Sequence, residues 1–162
     1  MSIALGQSEV TPAPWPTFSQ SIKLADHLDY LVDTQGDTTI DDILQNPAQR
    51  RWLAFTGDTP SFGFTSDVYW LRIRLMASHE KAEPAFLYIG YPLLDSVELF
   101  VRHGRSGTLQ NYPVVGDRQP FDTRLLNHRH FLFDLSPSQS DRVLYLRIET
   151  SSSMNVPLRL VN

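Results

Sequence analysis

Between Val68 and Met76 the sequence reads VYWLRIRLM. Strand side chains alternate between two faces, so Trp70, Arg72 and Arg74 point together while Tyr69, Leu71, Ile73 and Leu75 point the other way. An indole ring offers an apolar surface to the C–H face of a pyranose, and guanidinium groups beside it fork hydrogen bonds to hydroxyls or carboxylates. Tyr88 from a neighbouring strand, and Arg147 with Glu149 from the last long strand, extend this set of candidate ligand-binding residues. A tryptophan packed under a loop, with arginines tied to surface carboxylates, produces the same string. The residues alone leave both readings open.

A second set of side chains suits a cation. Asp33, Asp37, Asp41 and Asp42 fall within ten residues, and carboxylate oxygens are what Ca²⁺ requires. An EF-hand is excluded, because counting Asp33 as position one puts Gly36 at four instead of six and Leu44 at twelve, where a glutamate belongs. An irregular calcium site at the edge of a sandwich, formed from Asp33 and Asp37 or from Asp58 and Asp67, is the remaining metal candidate. Helix capping already accounts for Asp41 and Asp42. His128 and His130 share a strand face and suit a metal with an acidic neighbour, although HRHF also reads as a solvated edge. Thr150 to Met154, TSSSM, either lines a pocket or satisfies turn backbone.

Catalytic patterns are missing. Asp58, Asp95, Asp117, Asp122 and Asp141 sit in turns and do not form the facing carboxyl pair that glycoside hydrolysis needs. No G-x-S-x-G elbow, H-E-x-x-H helix or phosphate-cradling glycine loop occurs. The sequence reads as a non-catalytic domain.

The elements that must position these residues are short strands. Pro12, Pro14 and Pro16 surround Trp15, forbid a helix and deprive a sheet of donors, so residues 1–20 read as an arm with one aromatic anchor, at a processing boundary within a longer protein. Leu28, Tyr30 and Val32 alternate as a strand. Thr38 or Thr39 caps a short helix containing Ile40, Ile43 and Leu44, which stops before Pro47. Further strands are predicted over 68–76, 85–90, 96–102, 109–115, 131–135, 143–150 and 156–161, with 85–90 and 96–102 meeting at a turn. Regular short strands punctuated by Gly, Pro and Ser argue for an all-β antiparallel sandwich or jelly roll with one short helix.

Composition sets the outer bounds. A chain of 162 residues holds one core at the usual ~150 residues per domain, here residues 21–162. Its 41% hydrophobic and 20% charged residues exclude disordered and low-complexity classes. With 14 Lys+Arg against 18 Asp+Glu, nucleic acid is not an expected partner. The chain has no cysteine, which removes disulfides, thiol nucleophiles and cysteine-ligated metals. No apolar run approaches the ~18 residues that span a bilayer.

The segments VYWLRIRL, FLYIGYPLLDSVELFV, GDRQPFDTR and YLRIETSSSMNVPLRL, in this order and spacing, resemble the type 2 extracellular domain of seven-transmembrane receptors with diverse intracellular signalling modules (7TMR-DISM extracellular domain 2). The resemblance covers roughly Ser21 to Val161. It implies a jelly roll similar to carbohydrate-binding modules, exported to the periplasm as part of an inner-membrane protein. Seven membrane helices and a cytoplasmic output module, of the hybrid histidine kinase type, would follow in the parent receptor. Arg124, with Gly116 and Asp117, matches the family pattern and is expected to clamp the long loop onto the sandwich.

Two functional readings follow. In the first, the domain senses a carbohydrate-like or anionic small molecule, or a cation such as calcium, and relays its binding to the receptor's own transmembrane domain. In the second it is an interaction module that docks a copy of itself, as a homodimer, or another periplasmic sensor domain, since aromatics and arginine also anchor protein interfaces.

Overall fold

The computed structural model describes residues 10–120 and 130–162. Apolar alternation along most strands places one row of side chains in a shared interior, and two antiparallel sheets close over it. One sheet has four strands in the order β1 (Ser21–Lys23), β12 (Leu158–Val161), β6 (Ala85–Ile89) and β9 (Phe131–Leu135). The other has six, in the order β3 (Leu53–Ala54), β2 (Leu28–Asp33), β5 (Val68–Leu75), β10 (Arg142–Glu149), β7 (Ser96–His103) and β8 (Leu109–Asn111). A two-stranded ribbon of β4 (Ser61–Phe64) and β11 (Ser153–Asn155) lies at the margin. The interior is filled by Leu71, Ile73 and Leu75 of β5, Leu87 and Ile89 of β6, Phe131 and Phe133 of β9, and Leu144, Leu146 and Ile148 of β10. The fold is the expected all-β sandwich.

One connection differs from expectation. β6 and β7 do not meet as a hairpin; β6 pairs with β12 and β9, and β7 pairs with β10 and β8 in the opposite sheet. Residues 90–95 therefore cross between layers, as the chain also does between β5 and β6 and between β9 and β10. Such repeated crossing is the winding of a jelly roll. Period-two alternation assigns each strand a buried face but not a partner, so both arrangements fit the same string.

The six-stranded sheet is covered on its outer side as well. Helix α1 (Ile40–Gln45) begins at Thr39, whose hydroxyl accepts the Asp42 N–H at 3.2 Å while the Asp42 carboxylate accepts the Thr39 N–H at 2.9 Å. This reciprocal cap holds the Asp42 carboxyl below its ordinary pKa. The helix ends before Pro47, as expected, and Ile43 packs with Val68, Trp70 and Tyr145, with Ile40, Leu44, Trp52 and Phe100 against them. This second, smaller core seals the outer face of β5 near its start.

The arm follows its proline spacing. Ala13, which lies between Pro12 and Pro14, bridges to Leu75: its N–H donates to the Arg74 carbonyl at 2.8 Å and its carbonyl accepts from Met76 at 2.9 Å. Trp15 is buried in the core with its indole N–H on the Glu83 carbonyl at 3.1 Å. It is the aromatic anchor that the sequence suggested.

Candidate functional site

Trp70, Arg72 and Arg74 share the outer face of β5, and Arg147 stands opposite Trp70 across the β5–β10 pair. Of the two readings of this face, the structure carries the packed one and not the ligand-binding one. Trp70 is fully buried under α1 and stacks on Phe100 at 6.0 Å between ring centroids. Tyr145 beside it has a phenol pushed above its ordinary pKa, chiefly by burial. Arg72 grips both oxygens of the buried Asp29, Nε to Oδ1 at 3.0 Å and Nη2 to Oδ2 at 2.6 Å, and its guanidinium lies 4.3 Å from the Trp52 ring centroid. Arg74 is half-buried further along the strand, within electrostatic reach of Tyr145. Tyr88 belongs to β6 in the other sheet, where its hydroxyl bonds His130, so it does not join the Trp70 face. The side chains that exposed strands would offer to a ligand are used here to attach a covering layer.

The aspartates do not gather. Asp33 turns its carboxylate onto backbone, accepting from Gly36 at 3.0 Å and Thr38 at 2.9 Å. Asp37 is exposed, Asp58 pairs with Lys23 at 2.9 Å, which holds its carboxyl below the ordinary range, and Asp67 lies close enough to Tyr69 to help raise that phenol's pKa. Among the described residues no three of His, Asp and Glu converge as metal ligands. Arg124 and His128 lie outside the described residues.

Two clefts flank the Arg147–Glu149 ion pair, which is 2.9 Å long. The smaller, about 400 Å³, is bounded by the Gly36–Ile40 loop, Trp70, Glu98 and Arg147. Here Arg147 donates to the Gly36 carbonyl at 3.1 Å and ties the loop to the sheet. The larger, about 560 Å³, is lined by Phe64, Thr65, Ser66, Asp95, Arg118, Glu149, Thr150 and Ser151. Of the six residues expected to bind ligand, Arg147 and Glu149 reach these two clefts, Trp70 contributes only to the wall of the smaller one, and Tyr88 lines a separate cleft of about 100 Å³ with Lys23 and Asp58.

Asp95 organises the larger cleft. Its carboxylate accepts the Ser151 N–H at 2.6 Å and pairs with Arg118 at 3.1 Å. Its own N–H donates to the Glu149 carbonyl at 3.1 Å, and its carbonyl accepts from the Arg118 N–H at 3.2 Å. Thr150 and Ser152 donate their hydroxyls to the Leu93 carbonyl, at 3.4 and 3.2 Å, so the TSSSM segment both satisfies the turn and contributes to the cleft. Phe64, 85% exposed, stands at the end of β4 and supplies an apolar ring beside these polar groups. The residue reading passed over Phe64, Asp95 and Arg118 as site residues. Asp95 and Arg118 nonetheless lie in two of the segments that carry the family resemblance.

Arg124, the residue expected to clamp the long loop, lies outside the described residues, whereas Gly116 and Asp117 pack against the turn at Asp95. Gly116 has φ +154°, and a Cβ there would lie 2.1 Å from the Asp95 carbonyl oxygen. Asp117 donates to the Leu94 carbonyl at 2.7 Å. Gly116→Ala is therefore expected to lower stability by about 2–3 kcal/mol, from backbone strain and overpacking, and to disorder the Asp95 turn. Urea unfolding measures the first effect. The second appears as loss of the Asp95 and Ser151 amide positions in an NMR spectrum.

The cleft combines hydroxyls, two carboxylates, a guanidinium and a bare aromatic face, an arrangement suited to a polar ring. No helix among the described residues is long and apolar enough to cross a membrane. No curated protein matches the chain. A family model, that of the 7TMR-DISM extracellular 2 domain, matches residues 25–162, a span that includes Asp95, Gly116, Arg118 and Glu149. The chain thus belongs to the 7TMR-DISM extracellular 2 family of receptor extracellular domains.

Proposed function

We propose that this domain is the ligand-sensing module of a membrane-bound bacterial receptor, and that it takes a polyhydroxylated, carbohydrate-like molecule in the cleft around Asp95 and Arg118. The observation that carries the reading is the exposed Phe64 ring set beside Arg118, Glu149, Thr150 and Ser151 on one cleft of about 560 Å³. A pyranose would stack its C–H face on the ring. Its hydroxyls would donate to Glu149 and accept from Arg118, whose side chain is 69% exposed and holds Asp95 through one edge. Occupancy would bridge the β4–β11 ribbon, the Asp95 turn and the end of β10, and so bias their relative positions. That bias is the differential interaction a receptor needs to pass a signal to its membrane helices. The hybrid histidine kinase output and the periplasmic location belong to this proposal.

Calorimetric titration with neutral hexoses, uronic acids and amino sugars tests it. At least one class is expected to bind, with affinity falling tenfold or more in Phe64→Ala and in Arg118→Ala; the melting temperature stays within a degree or two in Phe64→Ala, whose ring is exposed, and falls further in Arg118→Ala, which also takes the ion pair from the buried Asp95 carboxylate. Silence across the panel at millimolar concentration overturns the reading. The exposed Phe64 and Leu93 favour a second reading as a protein docking face. Concentration-dependent self-association, abolished by Phe64→Ser, would establish that instead.

A further inference from the structure

Arg147 places one cation between two carboxylates. In the strand register it stands opposite Glu98 of β7, while Glu149, two residues further along β10, shares its face. Nη1 donates to Glu149 Oε2 at 2.9 Å and lies 4.0 Å from Glu98 Oε1. The guanidinium thus sits at the nearer of two partners. Its side chain is 17% exposed, packed on the outer face of the sheet, whereas the Glu149 side chain is 48% exposed. The carboxylate is the more easily turned of the two.

The same guanidinium also holds a loop. Nη2 donates to the Gly36 carbonyl at 3.1 Å, and because the group is planar and rigid, Nη1 cannot pass from Glu149 to Glu98 without displacing Nη2. Gly36 has φ +68° in a turn whose Gly36 and Thr38 N–H groups donate to the Asp33 carboxylate, and Thr39 then caps α1. A change at Gly36 therefore reaches the start of the layer that covers Trp70. Glu149 lines the Asp95 cleft, whereas Gly36 and Glu98 line the smaller one. Arg147 joins them.

We propose that Arg147 is a positioning residue that couples the two clefts: a ligand taking the Glu149 carboxylate in the Asp95 cleft releases Arg147 toward Glu98 and loosens its hold on the Gly36 carbonyl. The inference rests on the reading of the Asp95 cleft as a binding site. A half-exposed carboxylate held through one Nη1 hydrogen bond is weakly retained, so a ligand can replace that bond. Glu98 offers the displaced cation a second partner, which gives the two discrete arrangements that coupling between sites requires.

Two substitutions and one titration test the coupling. Glu149→Gln in the ligand-free protein imitates release, because it keeps the side-chain size and removes the charge. It is expected to move the Arg147 Nε and Gly36 amide resonances and to speed hydrogen exchange at the Thr38 amide about threefold or more. Glu98→Gln is expected to leave all three near their native values. Titration of the native protein with neutral hexoses, uronic acids and amino sugars is expected to move the Ser151 and Gly36 amides along one saturation curve. In Glu98→Gln the Ser151 amide is expected to titrate with native affinity while the Gly36 movement falls by about half or more. A merely structural tie would not separate the two signals. Movement of Ser151 without Gly36 in the native protein overturns the coupling and leaves the cleft as a binding site, and equal Gly36 movement in Glu98→Gln overturns it too. If no sugar moves Ser151, the binding reading fails and Glu149→Gln decides the coupling: native Arg147 Nε and Gly36 signals in that variant overturn it, and shifted ones support it.

Discussion

Arg72→Ala is expected to lower the unfolding free energy by about 3–5 kcal/mol, the range for breaking one side of a buried ion pair. Asp29 is 3% exposed and its carboxylate takes both hydrogen bonds from Arg72, so truncation leaves a buried carboxylate without its counter-charge. The Trp52 ring loses the cation stacked on it in the same step. Because β2 pairs with β5 through Asp29 and Arg72, the loss falls on the seam that carries the outer layer. The double variant Asp29→Asn/Arg72→Met is expected to recover most of the lost stability, since removing both partners also removes the desolvated charge. Urea midpoints at constant slope measure both. A loss below 1 kcal/mol in the single variant would place this pair with ordinary surface salt bridges and contradict its burial.

Trp70→Ala is expected to cost a similar amount, about 3–5 kcal/mol, as a large-to-small change in a packed site. The cavity would open under α1, against Ile43, Val68 and Tyr145, so the helix is expected to loosen before the sandwich does. Hydrogen exchange should show the amides of 43–46 losing protection while those of β5, β10 and β7 keep it. Trp70→Phe is expected to cost much less. It keeps an aromatic ring beside Phe100 and also removes a buried indole N–H that has no acceptor among the described residues. If Trp70→Ala left stability unchanged, the indole would have to be surface-exposed, and the role of α1 as a cover would fail.

These two residues show where the sequence was informative and where it was ambiguous. VYWLRIRL states that Trp70 and Arg72 share a face, and they do. It does not state whether that face meets water. The competing reading, a packed tryptophan with arginines tied to carboxylates, produces the same letters and is what the fold contains. Burial of Trp70 depends on α1, and the capping of α1 by Thr39 and Asp42 was legible thirty residues earlier in the chain. The missing information was that the helix lies across β5 and not elsewhere. Asp95 and Arg118 were missed for a related reason. Each is one charged residue in a turn, and they become a site only because the β6–β7 crossing and the loop after Val115 arrive at one corner.

The amino-acid order alone determined the strand faces, the single capped helix, the anchoring role of Trp15 and the family. Each of these is written in short-range periodicity, in backbone restrictions, or in a characteristic succession of segments. The tertiary structure decided which sheet each strand joins, which charges pair, which aromatic rings are covered and where clefts remain. Those outcomes depend on contacts between residues far apart in sequence, and on burial, which fixes whether a guanidinium meets a carboxylate, a ring or a ligand.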